Sequence, residues 1–260
     1  MRIFVAGLLA LGVVGTAAGV TSANGVTAEA RRESRRDDAI FQTSTIGALT
    51  AAVLDGHMTV AKLQKHGNFG VGTFHALDGE MVVVDGSAYQ VRVDGSVRRV
   101  PGSTTTPFAM VKWFRPERSV RIQGTESLDA LGQLLDGLIA SPNVSTAIRI
   151  EGRFNRILTR SVPAQSKPYA GLAEAVRQQR TFELLGVEGV MVGFRTPEYL
   201  APLNNGGYHF HFLTADRKAG GHVLAVDISQ ARAQLDNSLG FRLALPGSQE
   251  FAEAVLPGQN

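Results

Sequence analysis

The sequence predicts an α+β protein, and three observations carry that prediction. Three Asp-Gly pairs, beginning at Asp78, Asp85 and Asp94, separate short strand-like runs and mark an antiparallel meander. Leu128, Leu131, Leu134, Leu135 and Leu138 recur at helical spacing and describe an amphipathic helix. Beyond it, a long run from Ala147 to Val162 alternates with period two, and two later segments combine strand-like spacing with histidine. With 260 residues and 44% hydrophobic content the chain can bury a large core, as one large domain or two small ones.

The first twenty residues run from Met1-Arg2 through an apolar stretch into small residues, the layout of a secretory signal over residues 1–28, with cleavage after Ala23 or Ala28. Residues 29–41 include Arg31-Arg-Glu-Ser-Arg-Arg-Asp-Asp38 and read as a disordered, solvated leader. The mature chain is expected to be exported, without stable membrane insertion. Such a compartment permits disulfides, but the chain has no cysteine, which excludes both bridges and thiolate chemistry. A formal net charge of +3, spread among 26 basic and 23 acidic residues, gives no reason to expect a nucleic-acid partner.

From there the elements follow in order. Ser44 is expected to cap a helix carrying Ile46, Leu49, Val53 and Leu54, and Thr59 a shorter one through Leu63. Val71–Leu77, Met81–Val84, Ala88–Val93 and Ser96–Val100 supply the meander, and Phe108–Phe114 one more strand. The loop from Pro101 to Pro107 is polar and is assigned no role. Ser127 caps the leucine helix, which stops before Pro142. In the alternating run, Ile148, Ile150, Phe154 and Leu158 share one face and Arg149, Glu151, Arg153 and Asn155 the other, with a bend expected at Gly152. That parity puts Arg156 and Arg160 on the apolar face, where an unpaired guanidinium is costly, so at least one should meet an anion. Tyr169–Arg180 reads as a helix, Gly186–Phe194 as a strand, and Ser229–Leu235 as a helix or loop.

The chemistry concentrates at the histidines. His209, His211 and His222 are half of the six in the chain. The spacing His-x-His along a strand aims two rings the same way, while Phe210 and Phe212 face the opposite side. Thr214–Gly221 reads as a turn that returns the chain antiparallel, so that His222 comes up beside the first two. Three neutral imidazoles with an open position suit zinc, although copper, nickel or iron take the same ligands. His57, His66 and His75 are read as ordinary packed or exposed side chains. A cation beside an arginine and a carboxylate favours reactions that build negative charge on a substrate oxygen, decarboxylation beside a ketone among them. Spacing alone does not separate this from metal-assisted hydrolysis, other lyase chemistry or an iron oxygenase.

Several blocks go further. Gln42-Thr-Ser-Thr-Ile-Gly-Ala-Leu, His66-Gly-Asn-Phe-Gly-Val-Gly-Thr-Phe, Leu77-Asp-Gly-Glu-Met, Thr159-Arg-Ser-Val-Pro-Ala-Gln-Ser-Lys-Pro-Tyr, Val192-Gly-Phe-Arg-Thr-Pro and Gly207-Tyr-His-Phe-His-Phe resemble, in order, the bacterial alpha-acetolactate decarboxylases. The resemblance spans about residues 42–246 and implies two mixed or antiparallel β-rich subdomains with flanking helices, 42–145 and 146–260, with one zinc per chain near their junction. It also implies a homodimer and the conversion of acetolactate, a 2-hydroxy-3-keto acid, to acetoin and carbon dioxide, the step that feeds butanediol formation. Carried over residue by residue, His209, His211 and His222 are the zinc ligands, Glu80 the carboxylate at the metal, Arg160 the active-site arginine and Thr73 a substrate-side hydroxyl. Family members commonly continue into a charged tail whose glutamate returns to the metal. The residues Val255–Asn260 offer no counterpart, and Glu250 and Glu253 fall before that position. Two rival readings stand beside this one: an exported metal- or ligand-binding relative with little turnover, and a cupin-like iron oxygenase.

Overall fold

Fourteen strands and a few short helices make up the described residues, 38–201 and 203–257 of this computed structural model. The signal segment and the leader as far as Asp37 lie outside them. The end of the predicted leader does not stay solvated: Ile40–Thr43 forms β1, with Ile40 and Phe41 in the core, because two apolar residues follow the charged run and find an empty position beside later strands.

One sheet has seven strands. Its members are β1, β3 (Phe69–Thr73), β4 (Glu80–Val84), β5 (Ser87–Val91), β6 (Val97–Arg99), β8 (Ala109–Lys112) and β14 (Phe241–Ala244), in the spatial order β14-β1-β8-β3-β4-β5-β6. The meander predicted from the Asp-Gly pairs is β3 to β6. At Asp85-Gly86 both residues have positive φ, the backbone a two-residue hairpin needs. β1 runs parallel to β14 and all other pairs are antiparallel, so the sheet is mixed. A separate two-stranded pair joins β2 (Met58–Thr59) to β7 (Thr105–Thr106).

The second sheet contains β9 (Arg118–Thr125), β10 (Ser145–Ser161), β11 (Arg180–Thr196), β12 (Gly207–Thr214) and β13 (Gly220–Ser238). β10 pairs with β11 on one side and β13 on the other, and β12 joins β11 to the start of β13, so these four close on themselves. β9 belongs to this sheet although it precedes residue 145, and β14 to the first although it follows 146. The chain therefore crosses between the sheets in both directions.

Several local expectations shift, each for a physical reason. The first helix is Ile46–Thr50, and its cap is Thr45, whose hydroxyl accepts from the amide of Ala48; Ser44 is a positive-φ residue one step too early. Thr59 and Ser127 cap the helices Val60–Leu63 and Leu128–Asp136 as expected. β3 stops at Thr73 and a tight turn covers His75–Leu77. The helix after Tyr169 is only Leu172–Arg177, and β11 begins at Arg180. Ser229–Leu235 is strand, not helix: Ala231, Ala233 and Leu235 are buried between β9 and β10 while Arg232 faces outward, a period of two that outweighs the helix propensity of alanine.

β10 keeps a regular ladder through Gly152, the expected bend, and breaks register against β13 at Arg153/Phe154, Phe154/Arg156 and Leu158/Thr159. These bulges reset the parity. Ile157 takes the core position expected for Leu158, and Arg156 turns outward to pair with Glu183 at half-exposed positions. Arg160 also leaves the face of Phe154 and Ile157: it lies opposite His222 and lines the same pocket as that histidine.

Four clusters fill the interior. One lies within the closed strands and against the leucine helix, built on Phe154, Phe210, Phe212, Leu131 and Leu135. A second joins the two sheets, with Phe69, Val82 and Met110 of the first against Val190, Val192 and Leu213 of the second. A third backs the first sheet with Val60 and Leu63. The last gathers Leu49, Leu54, Leu77, Phe108 and Val162 beneath Leu172 and Val176. Apolar burial of this kind contributes about 25 cal/mol per Å², so both sheets are held together chiefly by their shared face.

Candidate active site

In an antiparallel ladder, residues directly opposite share a face, and that rule assembles this site. His211 on β12 lies opposite His222 on β13, and His222 lies opposite Arg160 on β10. His209, two residues from His211, points the same way. In the first sheet Thr73 of β3 lies opposite Glu80 of β4. All six side chains line one pocket.

The histidine nitrogens converge. His209 Nε2 lies 3.2 Å from His211 Nε2 and 3.2 Å from His222 Nδ1, and the three candidate ligand atoms fall within 4.8 Å of one another. Two nitrogens bound to one tetrahedral zinc at 2.0–2.1 Å are about 3.3 Å apart, so the arrangement fits such an ion. His211 Nδ1 is 2.7 Å from the carbonyl of Met81, and a proton held there leaves Nε2 as a lone pair facing its neighbours. Burial holds all three imidazoles in the neutral form that binds metal: His209 is lowered to about 4, by burial and then by Arg160, and His211 and His222 lie well below the usual range. Three buried lone pairs aimed at one point repel unless a cation or a shared proton occupies it.

Glu80 adds the carboxylate. It is buried at 8% exposure, and its Oε2 lies 3.4 Å from His211 Nε2. Burial pushes it up to about 7, against the opposing pull of Arg160. The Arg160 guanidinium donates through Nη1 to Gln179 Oε1 at 3.1 Å, while its Nε is buried without a partner among the described residues. The Thr73 hydroxyl lines the pocket and donates to the carbonyl of Gly79 at 2.8 Å, which ties the β3–β4 turn.

The sequence-predicted residues thus come together, and others join them. Leu77, Phe108, Val162, Leu172 and Val176 form an apolar wall, and Asn205 adds a polar edge. Sequence reasoning placed a helix near residue 172 but could not say that its face closes this pocket, since that depends on how the segment after β10 folds back. It is pinned there by Gln165 N–H to the Ala76 carbonyl and by Tyr169 and Lys167 to Asp55.

Known proteins match this chain over most of its length. The family model described as alpha-acetolactate decarboxylase matches residues 40–257. An alpha-acetolactate decarboxylase of Methanosarcina mazei is 45% identical over 223 residues, 86% of this chain and 77% of that protein. The Klebsiella aerogenes enzyme is 38% identical over 86% of both chains. The crystal structure of the Bacillus subtilis strain 168 enzyme superposes with a TM-score of 0.83 at 34% identity, covering 85% of this chain and 94% of that one. Matched from β1 to beyond its last strand, with the histidine cluster inside the match, this chain belongs to the alpha-acetolactate decarboxylase family.

Proposed function

We propose that this carboxy-lyase removes carbon dioxide from 2-acetolactate to give acetoin, with zinc held by His209, His211 and His222. The observation that supports it most is the convergence of three neutral ring nitrogens, a buried carboxyl and a guanidinium in one partly apolar pocket. The donor set is nitrogen-rich and free of thiolate, which suits zinc. When bound, zinc supplies Lewis acidity toward substrate oxygen.

The chain's own groups perform the remaining tasks. Arg160, with its Nε free, takes the substrate carboxylate and then the developing enediolate charge. Breaking the carbon–carboxylate bond sends its electron pair toward the ketone, and the vacated carbon then takes a proton. Glu80, buried beside His211, is placed to hold and move that proton at its carboxyl. The wall of Leu77, Phe108, Leu172 and Val176 excludes water, which strengthens both charge contacts. Thr73 positions the turn that presents Glu80. Export by the segment 1–28 and a homodimer belong to the same reading, supported by the sequence layout and the family resemblance. Among the described residues no helix is long and apolar enough to cross a membrane.

The test is metal analysis of the purified protein together with acetoin formation from racemic acetolactate, before and after chelation. Zinc near one per chain, with chelator-sensitive acetoin production, is expected. Full metal loading without acetoin would point to a binding relative, and oxygen uptake with iron-dependent activity to an oxygenase.

A further inference from the structure

We propose that Gln179 is a positioning residue for Arg160: its neutral amide fixes the guanidinium plane so that Nε–H faces the substrate carboxylate, without cancelling the positive charge. This rests on the reading that Arg160 binds that carboxylate. Arginine carries five N–H donors in a rigid fork, so holding one corner orients the rest. In the chain, Nη1 is held by Gln179 Oε1 at 3.1 Å and Nε is buried without an acceptor. A buried unpaired donor is costly to a fold and is retained where a ligand supplies the acceptor.

The location of Gln179 explains why it can do this. It is the last residue before β11, and the next residue, Arg180, lies opposite Ser161, the neighbour of Arg160. Its backbone N–H donates to the Val176 carbonyl at 3.0 Å, closing the helix Leu172–Arg177 whose Leu172 and Val176 wall the pocket. One segment therefore both shapes the cavity and aims its cation. The choice of amide matters: a carboxylate here would form an ion pair with Arg160 and compete with an anionic substrate, whereas an amide accepts the same hydrogen bond and leaves the charge available.

The experiment compares the unsubstituted metal-loaded protein with Gln179→Ala, Gln179→Glu and Arg160→Ala, measuring affinity for two probes. One is the dihydroxy acid obtained by reducing the substrate ketone, which cannot decarboxylate by this route; the other is the corresponding neutral diol. Gln179→Ala should weaken the acid about tenfold and Gln179→Glu about a hundredfold, with diol affinity, metal content and thermal midpoint unchanged. Equal affinities for the acid in all three Gln179 forms, or equal weakening of acid and diol, would overturn the proposal. Arg160→Ala separates the levels. If it leaves the acid-to-diol ratio unchanged, the carboxylate reading itself fails and this inference falls with it; if it abolishes the preference while Gln179→Ala does not, only the inference fails.

Discussion

Replacing Lys112 by methionine should unfasten the two sheets from each other, and its cost follows from what the ammonium holds. Lys112 sits on β8 of the first sheet and is fully buried. Its Nζ donates to the Asn237 carbonyl at 2.9 Å and to Ser238 Oγ at 2.6 Å, and lies 3.1 Å from Asp236 Oδ1, all at the end of β13. It also bonds the backbone and carboxylate of Asp38, just before β1. Removing one member of a buried ion pair costs about 3–5 kcal/mol, because the other charge is left without compensation. For a domain of this length that is a fall of about 6–20 °C in melting temperature. The effect is also pH-dependent. Burial raises Asp236 from the ordinary 3.8 to about 6, opposed by the Arg115 amide and by Lys112. A carboxyl raised on folding contributes most below the unfolded value and loses that contribution as pH rises through the folded one. Below about 5, Asp236 is largely protonated and needs its counter-charge less, so the deficit of Lys112→Met should be smaller at pH 5 than at pH 8, the partners other than Asp236 being lost at both. Differential scanning calorimetry at both values measures it. A melting temperature within about 2 °C of the unsubstituted protein at pH 8, or an equal deficit at both pH values, would refute the reasoning.

Chelation should abolish acetoin formation and lower the melting temperature while leaving the far-ultraviolet dichroism of the sheets, because the apolar clusters hold the fold without the three histidines. Arg160→Ala should reduce kcat/KM by about 10²–10³ with metal content retained, the scale of losing one charge-assisted contact in a dry site; near-normal turnover would remove it from the chemistry. Gly221→Ala should lower both stability and metal affinity. Its φ is +135° and a Cβ would lie 2.4 Å from the Arg160 carbonyl, so the strand start must shift and carry His222 with it; unchanged zinc affinity by competition titration would count against this.

Most of the site was legible because strand spacing is a strong geometric code. His209, His211 and His222 needed only a two-residue period and one turn, both readable from the chain. Arg160 was legible in a weaker sense, as a charge expected to need an anion, but bulges that no local pattern announces moved it and Arg156 together off the apolar face, and only Arg160 lines the pocket. Glu80 and Thr73 came from family resemblance, since nothing near Leu77-Asp-Gly-Glu distinguishes a buried carboxylate from an exposed one after a turn. Gln179 and the wall from Leu172 to Val176 depend on how the connector of residues 162–179 folds back, and side-chain period carries no such information. The last half of β13 was misread for a different reason: Ala231, Ala233 and Leu235 satisfy both a strand and a helix pattern, and only pairing with β9 and β10 decides between them.

β13 changes partners at His222, which has His211 across one edge and Arg160 across the other. A single insertion in any of the three strands near that crossing would therefore separate ligand from ligand or ligand from cation, flipping a side chain to the wrong face in one step. Variation that keeps the chemistry is then confined to what hangs over the crossing, above all the connector between β10 and β11. Relatives that have drifted toward other substrates should differ there first, and the strand crossing itself is the poorest place to begin redesign.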